Sequence, residues 1–186
     1  MPTYIAVLDA CVLLPMGLCD TLLRAAKLDI YRLKWSEEIL EETRRNLVEK
    51  AFVTEQGALR RITQMRDAFQ DADAMVTGYR DIVDGMTNHP KDRHVLAAAV
   101  KADAQVIVTF NLRDFPESAL APHHIEAKSP DTFLMNLFDL HPERMIGSMK
   151  NQAADLQRPS MTVLELLDHL AVQVPSFVTM VKAHLG

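Results

Sequence analysis

Gln105-Val106-Ile107-Val108-Thr109-Phe110-Asn111-Leu112-Arg113-Asp114 changes character at its midpoint. The first five residues form a short, β-branched, apolar run. That is how a strand buried on both faces reads. The next five turn polar, with Asn111 and Asp114 directly beyond the strand. A second run of this kind, Ile5-Ala6-Val7-Leu8, stops at Asp9. Tyr31-Arg32-Leu33-Lys34-Trp35 alternates like a strand, and Ile125-Glu126-Ala127 reads as a short last one. Helical patterns separate these runs, which predicts βαβ units, a parallel sheet and an α/β sandwich.

The helices follow from spacing and caps. Leu18–Ala26 reads as one helix. Ser36 is an N-cap, with Glu37 and Glu38 in the first turn, where the helix dipole favours acids. That helix runs on through Ile39, Leu40, Leu47 and Val48. A long amphipathic helix is expected over 58–76, with Leu59, Ile62, Met65, Phe69 and Val76 inward. Arg60, Arg61, Gln64 and Asp67 then face away, and Arg66 is expected in solvent. Residues 77–91, with Gly78, Gly85 and Pro90, read mostly as loop. Asp92 opens a helix through Val95, Leu96, Ala99 and Val100. From Ser129 the pattern is helical, and Pro142, Pro159 and Pro175 cut it into three or four short helices. A boundary near residue 135 gives a domain over 1–135 and a helical extension over 136–186.

Composition narrows the function classes. The chain has 186 residues, 48% apolar and 24% charged, enough to build a core unaided. Lys and Arg number 20 against 25 Asp and Glu, a net charge of −5, which disfavours gripping nucleic acid by bulk charge. Cys11 and Cys19 lack CxxC spacing and point to a reducing, cytoplasmic setting. No Lys or Arg precedes Arg24, so the basic start of a signal peptide is missing. No stretch reaches the roughly 18 uncharged residues needed to span a bilayer.

Ligands of open parallel sheets sit beyond the carboxyl ends of the strands. Asp9, Asn111 and Asp114 fall there, Asp92 starts the helix feeding the strand at 105–109, and Glu41 and Glu42 lie early in the helix after strand two. Singly, such acids are turn residues, helix caps or solvated helix faces. Asp9 is the exception, because Ile5–Leu8 and Val12–Leu14 enclose it in apolar sequence and a buried acid needs a partner. If several carboxylates converge, like charges demand a cation. Oxygen donors suit Mg²⁺ or Mn²⁺, and open positions around such an ion suit phosphodiester hydrolysis.

Four segments in order carry a resemblance. They are Val7-Leu8-Asp9-Ala10-Cys11-Val12-Leu13, Trp35-Ser36-Glu37-Glu38-Ile39-Leu40-Glu41-Glu42, Lys91-Asp92-Arg93-His94-Val95-Leu96-Ala97-Ala98-Ala99, and Val108-Thr109-Phe110-Asn111-Leu112-Arg113-Asp114-Phe115. Together they resemble the PIN-domain ribonucleases, most of all the VapC-type toxins of bacterial toxin–antitoxin pairs. The resemblance spans roughly residues 4–135, and the tail is similar to the helical extension of a longer VapC subgroup. It implies a PIN-like three-layer α/β/α fold and a Mg²⁺- or Mn²⁺-dependent endoribonuclease. It also implies an RNA substrate, a cognate antitoxin and a homodimer, with no membrane partner.

By that resemblance Asp9, Glu42, Asp92 and Asp114 are the catalytic, metal-holding acids. Glu41 is the fallback for Glu42, and Asn111 and Thr109 are supporting positions. Cys11 stands where the family often has Asn and reads as a small buried hydrophobe, leaving one supporting hydrogen bond open. A haloacid-dehalogenase-like phosphatase would need Asp-x-Asp after strand one, and Asp9-Ala10-Cys11 lacks the second acid. The remaining alternative is a catalytically silent PIN-like module that binds RNA or protein. His123-His124 lacks helical i, i+4 spacing and is not read as a ligand pair, whereas His94 is near the proposed site. Arg44, Arg45, Lys50, Lys91, Arg93 and Arg113 are candidates for a phosphate-steering rim. In the tail, Leu164, Leu167, Leu170 and Val174, then Phe177, Met180 and Val181, form apolar stripes that must bury on the core or on a partner.

Overall fold

The computed structural model describes residues 4–50 and 52–185. The outer ends of the two sequence-derived ranges, residues 1–3 and 186, lie outside them. Strands β1 (Ile5–Leu8), β2 (Arg32–Ser36), β3 (Met75–Val76), β4 (Val106–Val108) and β5 (Glu126–Lys128) form one parallel sheet in the order β3-β2-β1-β4-β5. Ala6 of β1 pairs with Leu33 on one side and Val106 on the other. The two apolar runs read from sequence therefore lie side by side at the centre, and their carboxyl ends deliver Asp9 and Thr109 to one edge.

Helices cover both faces of the sheet. The first five are α1 (Met16–Lys27), α2 (Glu37–Glu49), α3 (Glu55–Phe69), α4 (Arg93–Lys101) and α5 (Glu117–Leu120). Ser36 Oγ accepts from the Ile39 N–H at 3.2 Å and starts α2 where the sequence places its cap. Ala97, Ala98 and Ala99 are fully buried, so α4 packs closely on the sheet.

The helix expected over 58–76 is shorter and earlier. Thr54 caps α3 at Gly57 N–H, and α3 ends at Phe69. A 3₁₀ turn follows at Gln70–Ala72, and Asp73 takes the left-handed conformation at φ 51°. Asp is among the few residues that tolerate that conformation, and it redirects the chain. Val76 then pairs with Ser36 on the sheet rather than continuing a helical face. A two-residue strand is too short to leave a periodicity. Ala58, Ile62, Met65 and Phe69 make the buried face, and Leu59 is exposed. Arg61 is not turned to solvent, because its guanidinium donates to the Leu13 and Leu14 carbonyls at 2.5 and 3.2 Å. Arg66 pairs with Glu37. The segment 77–91 carries 3₁₀ turns at Arg80–Gly85 and Pro90–Asp92.

The tail forms α6 (Pro130–Leu140), α7 (Pro142–Asp155), α8 (Val163–Leu170) and α9 (Pro175–Leu185), and residue 135 lies inside α6. Leu167, Leu170, Val174, Phe177 and Val181 are buried in the same core as the sheet, Met180 packs against it, and Leu164 is exposed. The stripes thus bury within the chain. Thr21 Oγ1 of α1 donates to Gln152 Oε1 of α7 at 2.9 Å, and Gln152 Nε2 donates to the Gly17 carbonyl at 3.0 Å. A Cβ on Gly17 would sit 3.5 Å from Leu170, an ordinary contact that shows how closely α8 approaches α1. Among the described residues no helix is long and apolar enough to cross a membrane.

Candidate metal centre

Asp9 is 2% exposed and held on both carboxylate oxygens. Its Oδ1 accepts from Ala10 N–H at 2.8 Å and so caps the 3₁₀ turn Ala10–Leu13. Its Oδ2 accepts from Thr109 Oγ1 at 2.7 Å and from Cys11 Sγ at 3.3 Å. Burial pushes its pKa up, and the bonds from Thr109, Cys11 and Ala10 pull the other way. Thr109 therefore orients Asp9 across the junction of β1 and β4. Its oxygen also accepts from Asn111 N–H at 2.9 Å, so Asn111 contributes through its backbone.

Cys11 corrects the reading of a mere small hydrophobe. Burial, then the charge of Asp9, pushes its thiol up to about 12, so the proton stays on sulfur. The thiol donates to Asp9, and Sγ accepts from Phe110 N–H at 3.3 Å. Sulfur thus makes polar contacts on both sides at this position.

Glu41 and Glu42 separate cleanly. Glu41 forks onto Arg44 at 2.6 and 2.8 Å, and the same Arg reaches Glu55. That engagement takes Arg44 out of any phosphate rim and turns Glu41 outward. Glu42 instead lies 3.4 Å from His94 Nε2, and its bond to His94 holds its carboxyl below the ordinary range. For His94, burial disfavours the charged ring, but Glu42, Glu38 and Asp9 together outweigh it and raise its pKa. His94 is buried on the first turn of α4 and anchors Glu42 toward Asp9.

Asp92 is buried at the N-terminus of α4. Its pKa is pushed from 3.8 to about 6, first by burial and then by the charges of Asp9, Asp114 and Glu42. Four acids from four chain segments are thus close enough for their charges to act on one another. Donor atoms of Asp92, Asp114 and His89 lie within 4.8 Å of each other. His89 is the residue sequence reading missed. It sits three positions before Asp92, on the turn whose backbone bonds to residue 114. His123 and His124 belong to no such group among the described residues.

The chain matches the family model described as PIN domain over residues 6–113. The chain belongs to the PIN-domain family. Residues 130–183 of this PIN protein match the model described as VapC50 C-terminal domain. The chain is 46% identical over 104 residues to "Putative ribonuclease VapC50" of Mycobacterium tuberculosis. That match covers 56% of this chain and 62% of that protein's length. No solved structure matches.

The acids of this PIN domain fit a hard divalent cation. Carboxylate oxygens are the donors such ions take. The carboxyl of Asp92 is pushed up to about 6 beside three other carboxylates, a strain that opposing charge would relieve.

Proposed function

We propose that this protein is a metal-dependent endoribonuclease that hydrolyses RNA phosphodiester bonds, the toxin of a bacterial toxin–antitoxin pair. The observation that carries the reading is the buried Asp9 at the carboxyl end of β1, with Glu42, Asp92 and Asp114 near enough that Asp9, Glu42 and Asp114 all raise the Asp92 carboxyl, and with donor atoms of Asp92 and Asp114 within 4.8 Å of each other. Family membership and the name of the similar mycobacterial protein support it. Asp9, Glu42, Asp92 and Asp114 would hold Mg²⁺ or Mn²⁺. When bound, that cation supplies water activation and neutralises charge on the phosphate.

The chain's own residues supply the rest. Thr109 and Cys11 fix Asp9, and His94 fixes Glu42, so the acids need little rearrangement on binding. Lys91, Arg93 and Arg113 form no ion pair among the described residues and offer positive charge to RNA phosphates. Phe110 and Leu112 are exposed beside Asp114, and an exposed aromatic is the surface on which an unpaired base stacks.

A cognate antitoxin, a homodimer and a cytoplasmic setting belong to the same reading. The test is cleavage of RNA by purified protein with Mg²⁺, with Mn²⁺ and with EDTA. The reading expects cleavage with either ion, none in EDTA, and none from Asp9→Asn. Metal-independent cleavage, or an Asp9→Asn protein as active as wild type, would overturn it.

A further inference from the structure

We propose that His89 is a ligand of the divalent cation, adding one imidazole nitrogen to a carboxylate centre and raising its relative affinity for Mn²⁺ over Mg²⁺. The proposal rests on reading this cleft as a cation site.

His89 Nδ1 lies 3.7 Å from Asp92 Oδ2, too far for a hydrogen bond. Two donors bound at about 2.1 Å to one ion lie at most about 4.2 Å apart. The His89–Asp92 pair already meets that limit. The donor atoms of His89, Asp92 and Asp114 lie within 4.8 Å of one another, and sharing one octahedral ion, whose neighbouring donors lie about 3 Å apart, draws them together by about an ångström or more. Nδ1 accepts one long hydrogen bond, from Lys91 N–H at 3.4 Å, and a bound ion would take that lone pair in its place.

The backbone holds the three donors together without help from an ion. His89 N–H donates to the Asp114 carbonyl at 3.0 Å, and Asp92 N–H donates to the His89 carbonyl at 2.9 Å. Pro90 stiffens the turn between them. Asn88, next to His89, is 3% exposed, and both polar atoms of its amide lack a partner. Buried amides are rarely left so, and this one marks the turn as incompletely satisfied by protein groups.

Chemistry gives the consequence. A set of oxygens alone suits Mg²⁺, which is hard and keeps its waters. Imidazole is a borderline donor that transition ions accept more readily. The His89 ring is half-exposed, so its removal leaves the core untouched.

The experiment is Mn²⁺ binding to the full chain, followed by pulsed electron paramagnetic resonance and by titration against Mg²⁺. Wild type, His89→Ala, and His89→Asn, which keeps a polar group for the turn, are compared. A ¹⁴N coupling is expected on Mn²⁺ bound to wild type and is expected to vanish in both variants. Mn²⁺ affinity should fall by about tenfold and Mg²⁺ affinity by less than about twofold. Mn²⁺ bound with no ¹⁴N coupling, or a coupling that survives in both variants, would overturn the proposal and leave the carboxylate site standing. Failure of wild type to bind either ion would overturn both.

Discussion

At the residue scale the carboxylates divide by what they touch. Glu41 is spent on Arg44, and Glu42 is steered by His94. Glu42→Gln should therefore lower cleavage by at least about 100-fold, and Glu41→Gln by less than about threefold, in the same RNA assay. Asp92 supplies a second prediction, in stability. A carboxyl whose folded pKa is raised binds its proton more tightly in the native state. Its stabilisation is present below its ordinary value near 3.8 and is lost as pH climbs through about 6. In EDTA at pH 7.5, Asp92→Asn should melt roughly 2–5 °C above wild type, and the gap should close toward pH 4. A thermal denaturation series from pH 4 to 8 checks the sign. Asp9 was legible in the sequence because a lone acid between two apolar runs needs a reason. His89 was not, because its place depends on the Pro90–Asp92 turn folding back onto residue 114, a contact that local spacing does not encode.

At the scale of elements, the strands were legible where burial on both faces writes a continuous apolar run, as in β1 and β4. The edge strand β3 was not. Its two residues are paired by their neighbour β2 and carry no pattern of their own. The break before it was visible only as Asp71-Ala72-Asp73, a run that helical periodicity overlooks. Caps were legible at Ser36, where residue type and following acids agree. The cap of α9 comes from far away. Asp131 on α6 accepts from Ser176 and Phe177 N–H at 3.2 and 2.8 Å. Asp131→Ala should cost about 1–2 kcal/mol of unfolding free energy in urea titration, with cleavage activity retained below the transition. The segment after β4 presents Phe110 as an exposed aromatic. Phe110→Ala should raise KM for single-stranded RNA by about fivefold or more and leave metal affinity unchanged, since stacking acts on the base and not on the ion.

At the scale of the whole molecule, the four C-terminal helices complete the core rather than hang from it. Phe177 and Leu167 are fully buried in the cluster that includes β1 and α1. Deleting residues 136–186 should leave the covered face of α1 bare and the protein insoluble, judged by the soluble fraction on expression. The proline spacing predicted the helices of the tail, but the surface they cover became visible only once Gln152 met Thr21 and Gly17. The proposed hydrolysis of RNA by water belongs at the acidic edge of the sheet. Water attack with departure of the 3′ oxygen leaves a 5′-phosphate and a 3′-hydroxyl, whereas attack by the ribose 2′-hydroxyl leaves a cyclic phosphate. Mapping and chemically typing RNA ends after brief expression of wild type beside Asp92→Asn is the most direct measurement. New 5′-phosphate, 3′-hydroxyl ends are expected in wild type and none in the variant. Cyclic-phosphate ends, or the same new ends in Asp92→Asn, would contradict the proposed hydrolysis.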